Sequence, residues 1–122
     1  MLICDERTLM EVQKEFSEKY PFLRIRFFAF NENPEEHKKL KSTRTIGEVR
    51  TVHNEGELSI HGSVKVKTLE MSLREDFGLN AQVFRLSGNL WLQTTSTDEW
   101  TLHEQNRKGG ASASHYKEKY EI

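Results

Sequence analysis

The sequence predicts an α+β fold built from tandem pseudo-symmetric βαββ repeats, with the helices packed on antiparallel sheet. Three observations predict it. The apolar residues Leu9, Val12, Phe16 and Tyr20 recur with the same spacing, 57 residues on, as Val66, Leu69, Leu73 and Phe77. Each set leads into a β-prone segment, and each half closes on a Thr-x-x-Glu, Thr45 to Glu48 and Thr101 to Glu104. Helical spacing alone is common to amphipathic helices; the matched order of elements at one offset argues for a copied unit.

Taken in order, Leu2, Ile3 and Cys4 form a short apolar start that corresponds to Leu58, Ser59 and Ile60, and both read as short strands. From Arg7 to Tyr20 the apolar residues fall at i, i+3, i+7 and i+11, one face of a helix, with Glu11, Lys14, Glu15, Glu18 and Lys19 on the rest. Val64 to Phe77 repeats that face. Ser63 stands where an N-cap would, Gly78 where a left-handed residue would end the helix, and Pro21 ends the first one.

A period-two segment follows each helix. Leu23, Ile25, Phe27 and Ala29 alternate with Arg24, Arg26, Phe28 and Phe30, and the counterpart Ala81 to Leu86 turns through Ser87, Gly88 and Asn89 into Leu90 to Thr95, a hairpin signature. In the first half Asn31 to Pro34 takes the turn position, and the charged Glu35 to Lys41 stays open between edge strand, helical turn and loop. The two Thr-x-x-Glu sequences are capping boxes that favour a short helical turn at each site.

With 35% hydrophobic residues and a length suited to one core, 122 residues read as one domain over 1–106, made of repeats 1–50 and 57–106. Beyond Asn106 the Gly, Ala, Ser and charge content predicts a flexible tail, 107–122. Charge is balanced in both halves, ten basic to ten acidic residues in 1–56 and eight to nine in 57–122, without the global footprint of a phosphate-backbone binder. A lone cysteine and the lack of a leader-like start predict a cytoplasmic protein, and the longest apolar stretch, around Phe27 to Phe30, predicts no membrane span.

The run Thr68, Leu69, Leu73, Phe77, Gly78, Leu79, Gln82, Val83, Arg85, Ser87, Gly88, Trp91, followed by Trp100, Thr101 and Leu102, resembles uncharacterised bacterial proteins in which a helix ending Phe-Gly-Leu leads to a hairpin and a Thr-Leu turn. The resemblance covers about half the chain and implies a bacterial origin, with no activity attached. The first half departs from it at Pro21, where the pattern has glycine.

No catalytic constellation emerges. Cys4 sits in an apolar run and reads as a small buried hydrophobe; Ser87 lies in a strand-turn-strand context, whereas a nucleophile elbow needs strand-turn-helix. His37, His53, His61, His103 and His115 lack metal-clamp spacing, and Glu35/Glu36 and Glu75/Asp76 stand on solvated faces. No metal, cofactor or catalytic residue is expected; a pocket holding His61 or His103 beside a buried carboxylate would change that. The sheet carries the candidate site. If Leu23, Ile25, Phe27 and Ala29 pack under the helices, Arg24, Arg26, Phe28 and Phe30 share the other face, joined by Gln82, Phe84 and Trp91 from the second half. Aromatics with Arg mark protein interfaces and also single-strand platforms. The leading expectation is a non-enzymatic protein-interaction module, binding a protein partner or forming a homodimer. The alternative is single-stranded nucleic-acid binding, placed second because charge is balanced.

Overall fold

The computed structural model describes residues 1–30 and 38–120, and over these the protein is α+β. Strand β1 (Leu2–Ile3), helix α1 (Leu9–Lys19) and strand β2 (Leu23–Phe28) come first, and a 3₁₀ turn at Gly47–Val49 closes the first half. The second half holds strand β3 (Gly56–Glu57), helix α2 (Val66–Glu75), strands β4 (Asn80–Ser87) and β5 (Leu90–Gln93), a 3₁₀ turn at Thr95–Thr97 and helix α3 (Leu102–Tyr120). β1 pairs with β3, and the order β2-β4-β5 forms a second antiparallel sheet. The strand expected at Leu58 lies slightly earlier, although the Leu58 N–H still reaches Met1 O. The turn expected at Asn31 to Pro34 lies outside the described residues. Of the segment Glu35 to Lys41, Lys38 to Lys41 is described, and Lys38 to Leu40 runs along the outer edge of β2, with Ala29 N–H donating to Lys38 O and Leu40 N–H to Phe27 O.

Leu9, Val12 and Phe16 of α1 and Val66, Leu69 and Leu73 of α2 are the faces read from the periodicity, and all six are buried. With Leu23, Ile25, Phe27, Ala81 and Val83 from beneath, plus Ile46 and Leu102, they form one continuous core to which both halves contribute. Each Val, Leu, Ile or Phe among them, removed from water, stabilises the fold by about 1.5–3 kcal/mol. α1 opens on a third capping box, Thr8 Oγ1 accepting from Glu11 N at 3.1 Å, in addition to the two expected. α2 is not capped by Ser63. That hydroxyl meets the His61 ring at 2.8 Å, the chain stays extended through Lys65, and Val66 and Lys67 donate instead to the carbonyls of Trp100 and Asp98. Gly78, at φ +66°, ends α2 as expected: its N–H returns to Arg74 O, the αL motif, and Leu79 N–H reaches Leu73 O. The β4–β5 hairpin turns on Gly88 at φ +63° with Asn89 at negative φ, the type II′ pattern.

Hydrogen bonds of the first half have counterparts 56 or 57 residues on. Leu9 N–H to Arg44 O answers to Val66 N–H to Trp100 O, Met10 to Ser42 answers to Lys67 to Asp98, and Ile46 to Arg7 answers to Leu102 to Val64. The halves also clasp each other. Arg50 reaches across to Phe77 O at 3.0 Å, and Asn106, 56 positions later, accepts the Phe22 N–H at 2.9 Å, so each closing turn holds the helix-to-strand corner of the opposite half.

The tail expected over 107–122 is instead helix as far as Tyr120. Gly109 and Gly110, which suggest flexibility in a bare sequence, are what lets α3 lie on Phe22: a Cβ at either position would come within 2.9 Å of that side chain. Further along, Ser112 Oγ accepts the Gly88 N–H at 2.8 Å, which fixes α3 to the hairpin tip. No helix among the described residues is long and apolar enough to cross a membrane.

Candidate functional site

The alternation of β2 is observed: Leu23, Ile25 and Phe27 are buried, while Arg24 is exposed and Arg26 and Phe28 are half-buried. Cross-strand partners share a face, so Arg24 opposite Phe84, Arg26 opposite Gln82 and Phe28 opposite Asn80 put β2 and β4 side chains together. Gln93 opposite Phe84 and Trp91 opposite Leu86 extend the row onto β5. Six of the seven expected site residues therefore share one face, turned away from the helices. Phe30 lies past the end of β2, is 55% exposed, and borders a separate hollow with Arg44, Val52 and Arg74. On the shared face the guanidinium of Arg24 lies 4.0 Å from the centre of the Trp91 ring, and that of Arg26 lies 5.4 Å from the centre of Phe84. Such stacking holds both arginines extended over the sheet and is worth about 0.5–1 kcal/mol per exposed pair.

Around the outer edge of β2 this face runs into a hollow of about 780 Å³ between the strand, α1 and the segment 39–43. Five cationic side chains line it, Lys14, Arg24, Arg26, Lys39 and Lys41, and among the described residues no carboxylate does. None of the five takes part in an ion pair among the described residues, whereas Arg7, Arg44, Arg50, Lys65 and Lys67 all do. The cluster escapes composition because its members come from a helix, a strand and a loop, while Glu11 and Glu15 on the same helix turn to Thr8 and Arg7.

The corresponding place in the second half is closed. The odd-numbered peptide groups of β4 face β5, and where β5 ends, the Glu70 carboxylate accepts the Val83 N–H at 2.8 Å while Thr94 N and Oγ1 donate to Val83 O at 3.2 and 2.9 Å. Burial pushes the Glu70 carboxyl up to about 7, with the Val83 N–H opposing and the nearby Asp98 adding to the rise. Glu70 carries no signal in the sequence beyond a polar position on α2; the partnership with a strand edge is set by tertiary structure.

A smaller hollow of about 530 Å³ brings together Tyr20, His61, Ser63 and His103. Both histidines lie in it, but among the described residues no carboxylate lines it, so the pairing that would suggest acid–base chemistry is not formed there. Tyr20 is occupied, donating to Ile60 O at 2.6 Å. His53, exposed, meets Asp5 at 2.8 Å; that contact and the Arg50 guanidinium hold the Asp5 carboxyl below its usual range. Among the described residues no group of three or more His, Cys, Asp and Glu is placed to hold a metal ion. The chain matches no family model, no curated protein and no solved structure.

Proposed function

We propose that the protein is a non-enzymatic binding module whose Arg–aromatic sheet face takes a single strand of nucleic acid. The observation that supports this over a protein partner is the local charge: five cations, with no carboxylate beside them among the described residues, gather at the edge of that face in a chain of formal net charge −1. Trp91 and Phe84, each under a guanidinium, offer flat surfaces for bases, and the arginines reach phosphates from the same row. The same reading takes the two halves as copies of one ancestral unit, supported by their recurring hydrogen bonds. Titration of a fluorescein-labelled oligonucleotide tests the function: affinity falls with salt, and Arg24→Ala or Arg26→Ala lowers the salt slope by about 0.7 for each phosphate no longer neutralised. No binding at micromolar protein and low salt sinks the reading.

Self-association is the second reading, and the exposed edge of β5 favours it. Leu90 and Leu92 are 62% and 45% exposed on a strand with no outer neighbour among the described residues. Unpaired apolar edges recruit further strands. A solution mass measurement showing a dimer that Leu90→Lys dissociates would favour it.

A further inference from the structure

We propose that the hollow along the outer edge of β2 is a phosphate-binding site, in which a phosphate meets the outward peptide edge of that strand as the Glu70 carboxylate meets the edge of β4. Ladder parity orients the groups concerned. Leu86 N–H donates to Phe22 O, which turns the even-numbered peptide groups of β2 toward β4; Phe27 and Ala29 accordingly bond outward to Leu40 and Lys38. The N–H of Ile25 therefore points outward as well, and Ile25 lines the hollow. Ile25 is the cross-strand partner of Val83, and the residue on α1 that stands 57 positions before Glu70 is Gln13, which lines the hollow beside Ile25.

Two differences turn the closed corner into an open one. Gln13 carries no charge, so it offers no anion to the Ile25 N–H. Among the described residues of the first half no 3₁₀ turn like Thr95–Thr97 stands beside the strand; there Leu40 N–H donates to Phe27 O, two residues beyond Ile25, as Thr94 N–H does to Val83 O. The surroundings of that position suit negative charge: Lys14 from the helix, Arg24 and Arg26 from the strand, Lys39 and Lys41 from the edge segment, with Ser42 and Thr43 beside them. A backbone N–H, converging cations and hydroxyl donors are the groups that bind a phosphate. The size falls within the range of small-ligand sites. Arg24 and Arg26 belong to both this site and the open face, and only the source of the phosphate, a strand backbone or a free phosphorylated molecule, depends on the reading of that face.

The test uses the full chain, with thermal unfolding and calorimetry as readouts and two probes, sodium pyrophosphate and an abasic oligodeoxynucleotide. Either probe should raise the unfolding temperature saturably, beyond what sodium chloride does at equal ionic strength. Gln13→Glu, which gives the first half the carboxylate of the second, should weaken the response roughly tenfold or more, and Lys41→Gln should weaken it by a smaller factor. Tighter binding of the abasic chain supports the site and assigns its phosphate to a strand; equal or tighter binding of pyrophosphate supports it and assigns a free ligand. A pyrophosphate response without any oligonucleotide binding leaves the site standing and sinks the nucleic-acid reading. No saturable response to either probe, or an undiminished response in both folded variants, overturns the proposal.

Discussion

The edge of β4 and the edge of β2 meet their helices in the same way, yet one is closed and the other open. At Val83 a carboxylate and a threonine satisfy both peptide groups, and the carboxylate is buried enough to titrate near neutrality. Along β2 the helix position 57 residues before Glu70 holds Gln13, and cations ring the space beside Ile25. The same packing of helix on strand thus serves structure in one half and leaves a polar hollow in the other. One side chain and one short turn decide between them, which is a small distance in sequence for a large difference in chemistry.

The two halves are most alike at the core, and the largest effect is expected there. Phe16 and Leu73 occupy corresponding positions on α1 and α2 and are both fully buried. Phe16→Ala should cost about 3–5 kcal/mol and Leu73→Ala about 2–5 kcal/mol, each lowering a single cooperative transition in urea. Two separate transitions, each sensitive to only one substitution, would show that the halves do not share an interior.

A second, smaller effect belongs to the edges. The folded-state pKa of Glu70 lies near 7, above the 4.5 of an unperturbed side chain. Between those values the folded state holds a proton at Glu70 that the unfolded state has lost, so the contribution of Glu70 to stability falls as pH rises from about 4.5 to about 7. Glu70→Gln keeps the acceptor for Val83 N–H and removes the ionisation. It should leave stability below pH 4.5 nearly unchanged, raise it at pH 8 on the order of 2 kcal/mol, and flatten the curve between. Urea midpoints across that range check it, and a profile identical to that of the parent would refute the assignment.

The smallest effect separates the two capping boxes. Thr101 Oγ1 accepts from Glu104 N at 3.1 Å at the head of a 19-residue helix, and Thr45 does so from Glu48 N at 3.3 Å at the head of a three-residue turn. Thr101→Ala should cost about 1 kcal/mol and Thr45→Ala a few tenths, measured side by side by denaturation. Equal costs would mean that the cap itself, and not the length of helix it starts, carries the stability.

The two boxes also show what a sequence makes legible. Both form as their residues suggest, because the signal is local. The element that each box starts is not local. After Glu48 the β-branched Val49, Thr51 and Val52 and the cross-half pull on Arg50 end the turn, while after Glu104 the buried Gln105 and Gly109 find Arg85 and Phe22 to rest on. The helices α1 and α2, the hairpin and the alternation of β2 are readable for the same reason as the caps: periodicity and turn chemistry act over a few residues. α3 is not, since glycine is a poor helix former and its fitness there depends on a side chain more than eighty positions earlier. Ser63 does not cap α2 because Lys65 is drawn into a bridge with Thr101 before the helix can begin. The shared face of Arg24, Arg26, Phe28, Gln82, Phe84 and Trp91 follows from strand parity, which composition and alternation display directly. The basic hollow beside it is invisible to a balanced charge count, which sums over a whole sequence and not over one place in the fold.

The reciprocal clasp between the halves has a consequence for how the protein comes into being. The Phe22 N–H waits for the side-chain oxygen of Asn106, a separation of 84 residues, and the Arg50 guanidinium waits for Phe77. A nascent chain emerging from the ribosome therefore cannot finish its earliest corner until Asn106 has been translated. Long sequence separations of this kind slow the search for the native state. During that interval the core faces of the first half lack their partners from the second, and apolar surface left open in this way is where aggregation starts.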